Sequence, residues 1–429
     1  MMRTGSFRSV ARRLPVLLGA VVIGGALAAC GSGGTADGTA STTTTSIASA
    51  GEGMPDFYAV AYPLEDAPGR IIKVEEVPVE GLAGTMYRIM YTTRTQRGEI
   101  AAVTGLVAVP EGAAPEGGFP VVSWAHGTDG MADTCAPSLN PGANVGIANL
   151  LLDKGWAIAA TDYVGEGTPG LMPYIAGESA ARNAIDIVRA ARAIPGTAIS
   201  RDYIVWGHSQ GGHTAMHADR IGRDYAPDLE LRGVVAGAPP SQFPLLYDFL
   251  KTSPFKHYLL MAAGGINAAY GDEAAPLDAI LTPAGMEKLA LLDEGCVGAV
   301  GDVLAPIDAE SLVKMDPFEN DKWKAVLSEN DPQAFTKASP VPLLIIHGGA
   351  DEQIPTVSSE WLANHLCDLG QDLTRWVYPG QSHAGVVGSS AEDMLTWMEH
   401  RFAGDATPDP MTPKGQADVV VRRCASPGA

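Results

Sequence analysis

Gly207-His208-Ser209-Gln210-Gly211 sets a serine between two glycines at the spacing G-x-S-x-G. That spacing suits the tight strand-to-helix turn that holds a hydroxyl exposed on a strained backbone. A serine at its free pKa is a poor nucleophile. It needs a base, and the base needs an acid to hold its tautomer and stabilise its charged form. Both residue types lie downstream. Asp351 closes His347-Gly348-Gly349-Ala350-Asp351, directly after an apolar run, and His383 closes Tyr378-Pro379-Gly380-Gln381-Ser382-His383, after the next. The chemistry these residues fit is acyl transfer, with Ser209 as nucleophile, His383 as base and Asp351 orienting it. A tetrahedral intermediate also needs N–H donors for its oxyanion. Trp124-Ala125-His126-Gly127-Thr128-Asp129 follows another apolar run, so Thr128 N–H is the expected partner of Gln210 N–H.

These groups need strands that end together. Apolar runs at Phe119–Ala125, Trp156–Asp162, Asp202–Trp206, Leu231–Gly237, Val341–His347 and Arg375–Tyr378 read as buried strands. Amphipathic stretches at Glu178–Ala193, Gly211–Arg223, Ser358–Leu369 and Ala391–Phe402 lie between or after them. Near-continuously apolar strands alternating with helices predict a mostly parallel sheet covered on both faces. Upstream, Met86–Thr92 and Ile100–Val109 read as an antiparallel meander at the sheet's edge. The order Ser209, Asp351, His383 is that of an α/β-hydrolase. Residues 241–339 break the alternation with helical patches, Leu245–Leu250 and Tyr258–Ala263, and predict a helical cap. Its apolar side chains Leu245, Phe249, Leu259 and Met261 are expected to line an acyl pocket. Other constellations are weaker. His213 and His217 lie four apart but lack the glutamate of a zinc protease, and Gly165-Glu166-Gly167 lacks the third glycine of a dinucleotide site. His208 is expected to point away from substrate. No CxxC or CxxH spacing suggests a metal.

Four arginines precede the apolar run Leu14–Ala29, so residues 1–29 read as an export signal. The run ends in Leu27-Ala28-Ala29-Cys30, which resembles a lipobox and makes Cys30 the expected lipidated N-terminus. Residues 30–55 carry little to bury and read as a flexible tether, leaving one domain over 56–429. Lys and Arg total 29 against 49 Asp and Glu, a net charge of −20, with no basic patch for nucleic acid. Such a charge keeps the body off anionic lipid, so membrane contact would come through the anchor. Four cysteines remain after Cys30, and two disulfides are expected in an exported chain. Three pairings are open. Cys135 with Cys296 and Cys367 with Cys424 is favoured, because the second bridge would pin a proline-bearing tail.

The chain resembles the secretory lipases, a bacterial and fungal family. The resemblance rests on Gly207–Gly211, Asp56-Phe57-Tyr58, Pro68-Gly69, Cys135-Ala136-Pro137-Ser138, Asp351 and His383. It implies an α/β-hydrolase fold with a helical cap, two disulfides, no cofactor, and hydrolysis of acylglycerols or other carboxylic esters. It also implies the bridge from Cys135 to Cys296, tying the oxyanion loop to the cap. His126-Gly127-Thr128 departs from the fungal members' oxyanion turn. A monomeric, membrane-anchored or secreted lipase acting on a lipid or ester is therefore expected. The rival readings are a short-chain carboxylesterase, a serine peptidase or amidase, and an inactive envelope lipoprotein.

Overall fold

The computed structural model describes residues 46–48, 51, 53–143, 145–404, 413 and 420–424. The expected export signal and Cys30 lie outside the described residues. Part of the expected tether is structured: β1 (Ser46–Ala48) pairs antiparallel with β2 (Val60–Tyr62), and Gly51 N–H donates to Asp133 Oδ2 at 2.9 Å.

Ten strands form one sheet: β3 (Ile71–Glu76), β4 (Gly84–Arg94), β5 (Ile100–Pro110), β6 (Phe119–Ala125), β7 (Ala157–Thr161), β8 (Ile199–His208), β9 (Glu230–Gly237), β10 (Leu343–Gly348), β11 (Leu373–Tyr378) and β12 (Val420–Cys424). Their spatial order is β12-β11-β10-β9-β8-β6-β7-β5-β4-β3. The six from β11 to β7 are parallel, and β5, β4, β3 and β12 run antiparallel at the two edges. All six residues of β10 and of β11 are buried, as both-face coverage requires.

One face packs on α2 (Gly177–Arg192), α3 (Gln210–Tyr225) and the helix Thr356–Asp368, through Ile185, Val188, Met216 and Leu362. The other carries α1 (Val145–Leu152) and the helix Gly385–Ala403, through Leu151, Met394, Trp397 and Met398. Fully burying side chains of this size stabilises by roughly 1.5–3 kcal/mol each, so both helical layers are held mainly by apolar contact.

Between β9 and β10 the chain builds helices only, including α4 (Phe243–Leu250), α5 (His257–Tyr270) and Asp321–Asn330. Their shared core includes Ile266, Leu292 and Trp323, whose indole N–H donates to Pro276 O at 2.8 Å. Ala125, Met131, Tyr163 and Tyr174 of the main body belong to the same apolar cluster, so the cap is packed onto the strand ends.

Two bridges are present, Cys135–Cys296 and Cys367–Cys424. The first is reinforced by an isolated backbone bridge from Gly130 to Cys296 and by Val297 N–H donating to Asp129 O at 2.8 Å. The second ends in β12, which pairs antiparallel with β11.

Candidate active site

The parallel strands set every candidate group on one edge. In the β6–β8 register Ala125 lies opposite Gly207, so the turn that leaves β6 lies beside the turn that leaves β8. A Cβ built on Gly127 would lie 3.8 Å from Ser209 Cβ, which places the turn that carries Thr128 against the serine.

Ser209 sits at φ 59° and ψ −121°, a conformation L-residues rarely adopt. Close packing holds it there. A Cβ on Gly211 would lie 1.9 Å from Ala125 O, one on Gly207 2.1 Å from Gly211 O, and one on Gly212 2.3 Å from Gly237 O. Only hydrogens fit where β6, β8, β9 and α3 converge. The serine's own N–H donates to Gly237 O at 2.9 Å, and its carbonyl accepts from His213 N–H at 3.0 Å, opening α3. Helix geometry leaves Gln210 N–H, at the first helical position, without an intrahelical acceptor. The Gln210 side chain is buried behind it.

His383 Nδ1 lies 2.7 Å from Asp351 Oδ2, and its backbone N–H donates to Glu352 Oε2 at 3.1 Å. Asp351 Oδ1 accepts from Gln353 N–H at 2.9 Å and Ile354 N–H at 2.8 Å, while Oδ2 also lies 3.2 Å from His347 Nε2. Burial pushes the Asp351 carboxyl up, but the hydrogen bonds and charges of His347 and His383 outweigh it and hold it well below the usual carboxylate range. Asp351 is thus a charged acceptor, which makes Nδ1 the protonated nitrogen of His383 and leaves Nε2 with a free lone pair. No hydrogen bond joins Ser209 Oγ to His383 among the described residues. The link between them is His208, which precedes the serine and packs its ring 4.5 Å from that of His383. Burial and the neighbouring His383 lower the His208 pKa to about 3, so it packs as a neutral ring.

An apolar cavity of about 890 Å³, counting its open mouth, has Ser209 in its wall. Phe243, Leu246, Tyr247 and Leu250 line it from α4, at spacings of three and four. That helical face corrects the expected lining. Leu259 does face the cavity, but Leu245 and Phe249 lie on other faces of α4, and Met261 is buried in the cap core. Tyr174, in the cavity wall, has its hydroxyl 2.9 Å from Thr128 Oγ1.

His213 and His217 belong to no such site. Both are buried, with Nε2 at 2.7 and 3.1 Å from Asn330 O, and burial keeps both pKa values low. They fasten α3 to the end of the cap. Among the described residues no cluster of three His, Cys, Asp or Glu could hold a metal.

Sequence reasoning missed His347, whose place four residues before Asp351 is the available signal. It also missed the buried pair His126 and Glu166, although Gly165-Glu166-Gly167 had drawn attention for another reason.

A family model for secretory lipases matches residues 139–409. The chain belongs to the secretory lipase family. A secreted triacylglycerol lipase of Malassezia globosa is 25% identical over 365 residues, 78% of each chain. A probable inactive lipase of Mycobacterium tuberculosis is 24% identical over 413 residues, 86% of this chain and 88% of that one. The structure of Candida antarctica lipase A in its closed state superposes with a TM-score of 0.71 at 21% identity, covering 81% of this chain and 85% of the other. The fold is that of an α/β-hydrolase with a helical cap, and this secretory lipase is a serine carboxylic ester hydrolase acting outside the cytoplasm on lipid or ester substrates.

Proposed function

We propose that this secretory lipase hydrolyses acylglycerol esters through an acyl-enzyme on Ser209. Substrate would lay its acyl chain in the apolar cavity, bringing the ester carbonyl to the serine. Ser209 Oγ attacks the carbonyl carbon as His383 Nε2 takes its proton, and Asp351 stabilises the imidazolium through Nδ1. The N–H groups of Thr128 and Gln210 receive the oxyanion. The tetrahedral adduct collapses, His383 returns the proton to the leaving alkoxide, and water repeats the sequence to release the fatty acid. The observation that carries the acylglycerol reading is the open cavity with Ser209 in its wall, lined almost wholly by apolar side chains.

The same reading takes residues 1–29 as an export signal, Cys30 as the point of lipid attachment and the mature chain as a monomer. Exchange of Cys30→Ala should then move the protein from the membrane fraction to the medium.

The deciding experiment follows acid release from emulsified long-chain triacylglycerol beside a dissolved short-chain ester, with Ser209→Ala as blank. Comparable or faster release from the emulsion supports the reading. Cleavage of the short ester alone would make the protein a carboxylesterase.

A further inference from the structure

The turn that carries Thr128 is backed by a buried pair, His126 and Glu166, with no part in the steps above. His126 is only 4% exposed and Glu166 is fully buried. Glu166 is turned inward by its flanking glycines, both at positive φ: Gly165 at 80° and Gly167 at 81°. A Cβ on Gly165 would lie 2.6 Å from Met172 N, so this turn too is shaped by close backbone approach.

Glu166 Oε2 lies 3.4 Å from His126 Nε2. On the other side of the ring, Nδ1 lies 2.7 Å from Gly127 O and 3.1 Å from Asp129 Oδ2. Both partners of Nδ1 are acceptors only, so Nδ1 carries a proton and donates it. Tyr163 completes the seat, its ring 4.6 Å from the imidazole and its hydroxyl donating to His126 O at 3.1 Å. Burial opposes charge on His126, but the carboxylates of Glu166 and Asp129 outweigh it and hold the ring protonated well above its ordinary range.

The geometric consequence concerns one peptide plane. The Gly127–Thr128 peptide is trans, so its C=O and its N–H point in opposite directions. A donor that fixes Gly127 O therefore also fixes the direction of Thr128 N–H. A cation hydrogen-bonded to that oxygen further polarises the amide and makes its N–H a better donor. The turn itself lies against Ser209.

We infer that His126, seated on Glu166, is a positioning residue for oxyanion stabilisation: it grips Gly127 O and so aims Thr128 N–H at the oxygen of the tetrahedral intermediate. The inference rests on the acyl-enzyme reading of Ser209.

The test compares His126→Phe, which keeps a ring against Tyr163 but removes the donor, with His126→Asn, whose amide nitrogen takes nearly the place of Nδ1. Losing a well-placed oxyanion donor lowers kcat by about 10²-fold, with KM within about twofold, because the interaction exists only in the transition state. His126→Phe should show that pattern on a soluble ester, and the affinity of a trifluoromethyl ketone, which forms the tetrahedral adduct, should fall in step. His126→Asn should regain about tenfold of the lost kcat by restoring the hydrogen bond. An unchanged kcat beside a lowered melting temperature overturns the inference, as does a raised KM with ketone affinity intact. Nitrogen NMR of labelled histidine in the unaltered enzyme provides a readout independent of how the variants fold. It should find Nδ1 of His126 protonated at neutral pH, and an unprotonated Nδ1 overturns the inference. Ser209→Ala separates the two levels: if it retains activity, the acyl-enzyme reading fails, whatever the His126 variants do.

Discussion

Asp351→Asn tests the proposed orienting acid, because the four contacts of the carboxylate dictate how an amide must sit. Oδ1 receives two backbone N–H groups, from Gln353 and Ile354, while Oδ2 faces His383 Nδ1 and His347 Nε2. If the amide NH2 took the Oδ1 place, two buried N–H donors would lose their acceptor at about 1–3 kcal/mol each. If it takes the Oδ2 place, His347 Nε2 still has Ile354 O at 3.0 Å, so little is lost there. The second arrangement wins. It presents N–H to His383 Nδ1, which must then accept, and the ring's proton moves to Nε2. In that tautomer the imidazole has no lone pair for the proton of Ser209. The expected loss is about 10⁴-fold in kcat at pH 7, or about 5 kcal/mol of barrier, with KM little changed. Hydrolysis of a chromogenic short-chain ester measures it, and the rate of fluorophosphonate labelling at Ser209 should fall in parallel. A folded Asp351→Asn variant that keeps more than a tenth of the unaltered kcat would refute the reasoning.

Asp219 on α3 is buried, and burial raises its pKa to about 7 against a weaker opposing hydrogen bond from Ser339. The unfolded chain releases this proton from about pH 4 upward, the folded chain only near 7. The folded state thus binds more protons in that window, and stability falls as pH rises through it. Asp219→Asn should therefore raise the melting temperature at pH 8 by an amount worth a few kcal/mol, and change it little at pH 4. Gly211→Ala should abolish both labelling of Ser209 and ester hydrolysis, since its methyl would sit 1.9 Å from Ala125 O and 2.8 Å from His126 O, backbone atoms at the end of β6. Cys367→Ser with Cys424→Ser opens a loop of 57 residues and should cost about 4 kcal/mol by the chain-entropy argument, read as a lower urea midpoint with kcat retained.

The sheet's centre was legible because buried parallel strands are almost wholly apolar. Phe119–Ala125 has the same bounds in sequence and structure, and the runs ending in Trp206 and His347 shift by only a few residues. Ser209, Asp351 and His383 stood out as candidates for a related reason, since each lies in the turn after such a run. What sequence obscured were contacts set by tertiary approach. β12 is a five-residue edge strand, Val420–Cys424, with two arginines, and its pairing with β11 leaves no apolar alternation to read. The cap has helical periodicity but no marker of which face meets the cavity, so Leu245 was expected where Leu246 stands. His126 and Glu166 are forty residues apart and meet only because β6 and β7 are neighbours.

The stitch between Gly130 and Cys296 has a bearing on engineering. The cap resembles a detachable module in chain order, since it is one insertion between two strands. Mechanically it is not one, because a disulfide, a backbone bridge and the bond from Val297 to Asp129 join it to the very loop that begins with His126 and Thr128. A cap transplanted from another hydrolase to change chain-length preference would have to bring a cysteine and an extended residue to that position. Without them the graft would alter turnover as well as selectivity, and a library built by cap exchange would confuse the two.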